Sequence, residues 1–243
     1  LQLQISIIMK HTLLIKDWLS SFLSLLFPRC CVVCGRPLAK GEECICTVCN
    51  INLPRTNYHL RKDNPVERLF WGQIPLERAT SFFFYEKGSD FRLILHRLKY
   101  GGQKEIGAIM GQYMAAELLS SNFFQGIDVI IPIPLHKKKQ QIRGYNQSEW
   151  IARGVSAVTG IPIDTESILR KKNTETQTRK SVFERRDNVE GIFELQHPET
   201  LAGKHILIVD DVLTTGSTTL ACASCLVDVE DIRISILTLA MVE

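Results

Sequence analysis

Two sets of residues in this chain are spaced for chemistry. The first is a pair of adjacent acids, Asp210 and Asp211, which closes the apolar run Ile206 to Val209 and opens the stretch "VLTTGST". Its glycine permits a tight turn, and the turn offers successive backbone N–H groups, with hydroxyls beside them, at the start of a helix. Such a turn cradles a phosphate monoester through unpaired amides and the helix dipole together. Carboxylates next to the cradle would repel a bare phosphate, so they are placed to accept hydrogen bonds from ligand hydroxyls instead. A sugar 5-phosphate carries both features. A Walker-type loop, the other phosphate-binding turn of this kind, ends in Gly-Lys-Ser/Thr, and no lysine stands between Asp210 and Thr219.

The second set lies within "CCVVCGRPLAKGEECICTVC", which holds six of the eight cysteines. Cys31 and Cys34 form one C-x2-C knuckle and Cys46 and Cys49 another, with eleven residues between them. That spacing is close to a four-thiolate zinc ribbon, in which the ion replaces the hydrophobic core that so short a segment lacks. Four sulfurs leave no open position for water, so the zinc is structural. Cys30 and Cys44 are then spare. A disulfide-knit loop would need an oxidising compartment, for which the sequence carries no signal. Cys222 and Cys225 repeat the C-x2-C spacing but sit among Ala and Leu at helical spacing, which makes them small packing residues.

The elements that must position these residues alternate. The segments "ATSFFFYE", "IDVIIPIPL", "IPID", "HILIVD" and "RISILTLAM" read as strands. Between them "SDFRLILHRLKY", "EIGAIMGQYMAAELLSS", "NQSEWIARGVSAV" and "STTLACASCLVDV" read as helices. This order predicts an α/β fold, a mostly parallel sheet flanked by helices, with a small N-terminal four-cysteine zinc module. In such sheets ligands bind at the carboxyl ends of the strands, which is where Asp210 and Asp211 fall. The stretch from Arg170 to Asn188 has many charges, no apolar periodicity and too much length for an idle connection. The expected division is an N-terminal amphipathic helix over 1–28, the zinc module over 29–56 and the catalytic-type domain over 75–243.

Composition agrees with a folded chain. With 243 residues and 45% apolar content, one sizeable core plus an accessory module is affordable, and main-state disorder is excluded. A net charge of +3 is too small for a global argument about nucleic acid. The apolar segment Leu13 to Phe27 contains Lys16 and Asp17 and is too short to span a bilayer. With no small-residue cleavage site after it, the chain reads as cytoplasmic. Met9 lies inside the chain, and residues 1–8 read as an extension upstream of the true start.

The run "ILIVDDVLTTGST" resembles the 5-phosphoribosyl-1-pyrophosphate (PRPP) motif of type I phosphoribosyltransferases. Together with the cysteine knuckles, "PIPLHKKKQQIRGYNQSE" and "QTRKSVFERRDNVEGIF", it makes nearly the whole chain similar to the ComF family. The resemblance implies a type I phosphoribosyltransferase-like sheet. It further implies that Asp210 and Asp211 hold the ribose hydroxyls while Thr214, Thr215, Gly216, Ser217 and Thr218 wrap the 5-phosphate. Arg143, Gly144, Asn146 and Gln147 would line the pyrophosphate side, with Lys137 to Lys139 adding positive charge. Arginine suits bidentate oxygen contacts and glycine lets the backbone approach closely. The stretch after Arg170 would be the mobile hood of these enzymes. Its Lys171, Lys172, Gln177, Lys180 and Arg185 are the groups to reach the leaving pyrophosphate.

Displacing pyrophosphate from a sugar passes through an oxocarbenium-like carbon, so water must be excluded while cations take the departing charge. Mg2+ bridging the diphosphate and the ribose hydroxyls would share that work. No residue stands out as general base; Asp210, Asp211, Lys171 and Arg185 are the catalytic candidates. Two functions of different class follow. One is a PRPP-dependent transferase with an unspecified acceptor. The other is a non-catalytic accessory protein that keeps the nucleotide-pocket fold and contacts single-stranded DNA or a competence helicase. The resemblance to ComF proteins implies a setting in natural transformation, where internalised single strands are handled. Tyr145, Phe183 or Trp150 could stack on bases, although for Trp150 packing on a helix face is the leading expectation.

Overall fold

The computed structural model describes residues 28–171 and 191–242. The expected amphipathic helix before residue 28, and Lys172, Gln177, Lys180, Phe183 and Arg185, lie outside the described residues. The chain divides into two compact units, with the boundary between Asn52 and Leu53.

In the smaller unit, Gly35 adopts φ +74° and its N–H donates to Cys31 O, so the backbone turns back under the first knuckle. Only glycine enters that region without cost. Cys30 and Pro37 form an isolated antiparallel bridge. A short helix, α1 (Thr47–Ile51), follows with Cys46 as its N-cap, the sulfur accepting from Cys49 N. Glu42 ties the unit together: its carboxylate accepts from Thr47 N, Thr47 Oγ1 and Ala39 N.

The larger unit opens with helix α2 (Pro65–Arg68), started by a capping box between Asn64 and Glu67. Strand β1 (Leu76–Tyr85) comes next, followed by helices α3 (Arg92–Tyr100) and α4 (Glu105–Leu118). Strand β2 (Val129–Pro132) leads into α5 (Lys137–Arg143) and α6 (Gln147–Thr159). A two-stranded antiparallel ribbon, β3 (Ile168–Arg170) with β4 (Phe193–Leu195), precedes β5 (His205–Leu213), helix α7 (Ser217–Ser224) and β6 (Arg233–Val242). The main sheet has the order β1-β6-β5-β2, and every pairing in it is parallel. This is the α/β class that the alternating pattern predicts.

Both faces of the sheet are covered, which explains why the central strands are continuous apolar runs. Ile206 and Ile208 pack with Ile234, Ile236, Cys222, Ala223 and Leu226 on one side. Side chains alternate along a strand, so Leu207 and Val209 face the other side, where α6 packs on β5 and β2, and α4 on β6.

Two expectations need correction. The stretch "IPID" forms only a single bridge, Ile163 to Ile130, because the chain leaves the sheet edge at once. Helix α7 stops at Ser224, well before Val229; Leu226 and Val229 remain buried although the backbone has turned, so their spacing reflects core contact and not helical continuity. The lysine run forms α5, which has no buried residue and therefore no apolar period to betray it.

Candidate functional site

Strand β2 ends at Pro132, whose partner on β5 is Val209. Strand β5 runs on to Leu213, still paired with β6 through Val212 and Leu213. Asp210 is thus the first β5 residue with no β2 partner, and the acids lie where β5 runs on past the end of β2. Successive residues leave a strand on opposite faces, so the two acids have different surroundings.

Asp210 is buried. Its Oδ1 accepts from Ser148 Oγ at 2.9 Å and from the Asp211 backbone N–H at 2.8 Å. Burial, together with the charge of Asp211, pushes its carboxyl up to about 7, against the lowering effect of those two hydrogen bonds and Lys99. Asp211 instead meets Lys99, at the end of α3, with Nζ 3.1 Å from Oδ1.

The turn after β5 leads into a helix whose N-terminus no side chain caps. Gly216 is the N-cap of α7 with φ +74°, and the first turn carries no acid. A Cβ at Gly216 would also press on the Phe70 ring at 3.3 Å. Thr215 Oγ1 and Ser217 Oγ are 2.8 Å apart, while Thr214 and Thr218 are exposed. The first N–H groups of α7 therefore point out of the helix with no side-chain partner of its own cap, which is the arrangement that attracts an anion.

The loop after β2 is built from inside. Asn146 caps α6, its Oδ1 accepting from Ser148 N, while its Nδ2 donates to Ile133 O. Buried Gln147 accepts from Arg143 Nη1 at 2.9 Å, and its own Nε2 has no hydrogen-bond partner. Gly144 ends α5 with φ +80°. Among these four residues, Asn146 and Gln147 hold the loop, and Arg143 is the one presented, with its guanidinium 5.5 Å from the Tyr100 ring centroid.

Two further cations complete the rim. Burial and the positive charges of Arg170, Arg143 and Lys99 hold the Lys139 ammonium below its usual range. Desolvation also lowers Arg170, against the opposing pull of Asp210. Lys171, expected to reach a leaving group, pairs with Glu194 at 2.6 Å across the β3–β4 ribbon.

Lys99, Tyr100 and Arg170 are site residues that the motifs do not contain, and Ser148 stands within "PIPLHKKKQQIRGYNQSE" without being singled out there. Local sequence carries no mark of them, because tertiary folding brings them to β5. The stacking candidates separate as well. Tyr145 is buried with its hydroxyl donating to Leu98 O, which removes it from any role on bases. Trp150 lies beneath Lys104 at 4.7 Å and Arg153 at 5.1 Å.

In the smaller unit the sulfurs of Cys31, Cys34, Cys46 and Cys49 lie within 4.8 Å of one another. The Cys46 N–H donates to Cys31 Sγ and the Cys49 N–H to Cys46 Sγ. Arg36 donates to Cys34 and holds that thiol down to about 6. Four converging thiols with amide and guanidinium donors fit a metal ion. Cys44 is buried away from them and its thiol is pushed up to about 12 by burial; Cys30 is exposed. Cys222 is buried and Cys225 Sγ donates to Cys222 O, as packing residues do. No comparable oxygen cluster for Mg2+ occurs among the described residues.

Comparison with known proteins decides the family. The DNA utilization protein YhgH of Escherichia coli O157:H7 is 32% identical over 206 residues, covering 79% of this chain and 87% of that protein. The chain belongs to the ComF family. The competence protein ComFC of Bacillus subtilis is 26% identical over 216 residues, covering 87% of this ComF chain and 83% of its own. Competence protein F of Haemophilus influenzae is 37% identical over 92 residues, covering 37% of this chain and 40% of that one. No family model matches. Among solved structures, adenine phosphoribosyltransferase from Leishmania tarentolae is similar at TM-score 0.37 and 11% identity, covering 78% of this chain and 94% of that chain. The glutamine PRPP amidotransferase of B. subtilis is similar at TM-score 0.34 and 19% identity, covering 56% and 26%. No helix among the described residues of this ComF chain is long and apolar enough to cross a membrane.

Proposed function

We propose that this ComF-family chain binds PRPP or a related ribose 5-phosphate ligand, with Mg2+ carried on the ligand, and acts in the cytoplasm on internalised single-stranded DNA during DNA uptake. The observation that carries the reading is the placement of two acids immediately before an uncapped helix N-terminus, beneath a rim of Lys99, Lys139, Arg143 and Arg170. The 5-phosphate would lie on the turn from Thr214 to Thr218 and the ribose hydroxyls against Asp210 and Asp211. The diphosphate would lie toward Arg143 and Lys139. If the ligand turns over, the same rim takes the charge of departing pyrophosphate, and the chain is a phosphoribosyltransferase. The four cysteines would hold one structural zinc. The names of the relatives support the DNA setting, and of the two described aromatic candidates Trp150, flanked by two cations, is better placed than buried Tyr145 to meet a strand.

One observation favours a second reading. Both acids already have partners within the chain, Ser148 and Lys99. A pocket kept for its architecture, in a protein that contacts DNA or a helicase without turnover, would look the same. Titration calorimetry separates the two: PRPP with Mg2+ should bind at micromolar concentration, and Asp210→Asn with Asp211→Asn should abolish the heat. No heat with the native chain would reject the first reading.

A further inference from the structure

We propose that Lys99 is the resident counter-ion of the acid pair: its ammonium occupies the place beside Asp211 that a divalent cation would otherwise take, so that recognition of sugar hydroxyls needs no metal. The inference rests on the reading of Asp210 and Asp211 as hydroxyl acceptors, and it goes beyond that reading by assigning a positioning residue to the site.

The geometry points this way at several levels. Lys99 Nζ is 3.1 Å from Asp211 Oδ1, with the two side chains only 24% and 14% exposed. Lys99 is thus ion-paired with Asp211, while the charge of Asp210 acts on Arg170. Arg143 is engaged with Gln147 and Tyr100 instead. The end of α3 is held so that the ammonium stays in place. On one side of Lys99, Leu98 O accepts from the Tyr145 hydroxyl; on the other, the Tyr100 ring carries Arg143. The helix stops one residue later at Gly101, where a Cβ would meet Arg97 O at 2.8 Å.

Electrostatics supplies the reason for such an anchor. Two neighbouring carboxylates that are largely buried need a compensating charge. A lysine fixed by the fold supplies one unit permanently, whereas a metal would have to be recruited with each ligand. A ligand that carries its own diphosphate still brings Mg2+ for that group. A ribose 5-phosphate has no diphosphate and should need none.

Two measurements on the full chain test this. The first uses no sugar. Millimolar MgCl2 against EDTA should leave the melting temperature of the native chain and of Lys99→Arg unchanged. It should raise that of Lys99→Met by about 4 °C, because Mg2+ fills the vacated place. Lys99→Met combined with Asp211→Asn should lose the response, since the charge to be met is gone. Equal responses in native chain and Lys99→Met would overturn the proposal. The second is calorimetry with ribose 5-phosphate. The native chain should bind equally in EDTA and in Mg2+, and Lys99→Met should bind about tenfold more weakly in EDTA and recover in Mg2+. Native binding that appears only with Mg2+ would overturn the role of Lys99 while leaving the ribose-phosphate reading intact, and it needs no variant to fold. A native chain that binds neither ribose 5-phosphate nor PRPP sinks that reading, and the melting experiment still decides Lys99.

Discussion

Asp210 has its carboxyl pushed up to about 7 by burial and by the charge of Asp211. An aspartate in an unfolded chain titrates near 3.9. Between those two values the folded chain keeps a proton that the unfolded chain has released. The stability from this group is therefore full below about pH 4 and falls as pH rises through 7, by at most about 4 kcal/mol. Asp210→Asn removes the titration while leaving an acceptor for Ser148. Its melting temperature should hold between pH 5 and pH 8 where that of the native chain declines, and a variant that tracks the native chain across this range would refute the assignment. Asp210, Asp211 and the turn to Thr218 are legible in sequence because they are contiguous, and one turn contains acceptors, amides and hydroxyls together. Ser148, by contrast, is 62 residues from Asp210 in sequence. Neither it nor Lys99 differs locally from any other residue on a helix, so only the tertiary contact identifies them.

The elements that deliver those distant residues depend on a close crossing of α4 and α6. A Cβ at Gly154 would come within 2.0 Å of Ala108 O, and one at Gly111 within 2.3 Å of Ile151 O. In an isolated helix, replacing glycine by alanine stabilises by up to about 1 kcal/mol. Here the backbone contact reverses the sign, and overpacking should cost about 3 kcal/mol or more. Helix α6 carries Gln147 and Ser148 in its first turn, so forcing it outward also loosens the hydrogen bond to Asp210. Gly154→Ala should lower the denaturant midpoint and weaken ribose 5-phosphate binding together; a gain in stability would show that the crossing is less tight than described. The strands of the main sheet are legible as apolar runs and most helices because each buries a face at helical spacing, whereas the three-residue strands β3 and β4 are too short to show either pattern. Helix α5 buries no residue, and the spacing past Ser224 stays apolar after α7 has ended, so periodicity misses the one and overextends the other. The glycines of the crossing stand in the sequence, but nothing there says which helix each one meets.

The whole molecule combines two kinds of stability. The larger unit has a parallel sheet covered on both faces, with a core running from Val66 to Ile236. Among the described residues, the smaller unit has few buried apolar side chains beyond its cysteines, chiefly Val32, Val33 and Ile45. A segment that small rarely folds on its own core, and a metal held by four thiolates is the usual substitute. Purified without chelator, the chain should carry about one zinc, which Cys31→Ser with Cys46→Ser should remove. Treating the native chain with a strong chelator should release that zinc and expose Cys31, Cys34, Cys46 and Cys49 to a thiol reagent. Cys222, buried in the core of the larger unit, should stay protected. The main melting transition and any ribose 5-phosphate binding should survive, because the acids, the turn and the cationic rim all belong to the unit that begins at Leu53. If Cys222 reacts as fast as the other four, metal loss unfolds the sheet as well, and the two units do not stand independently.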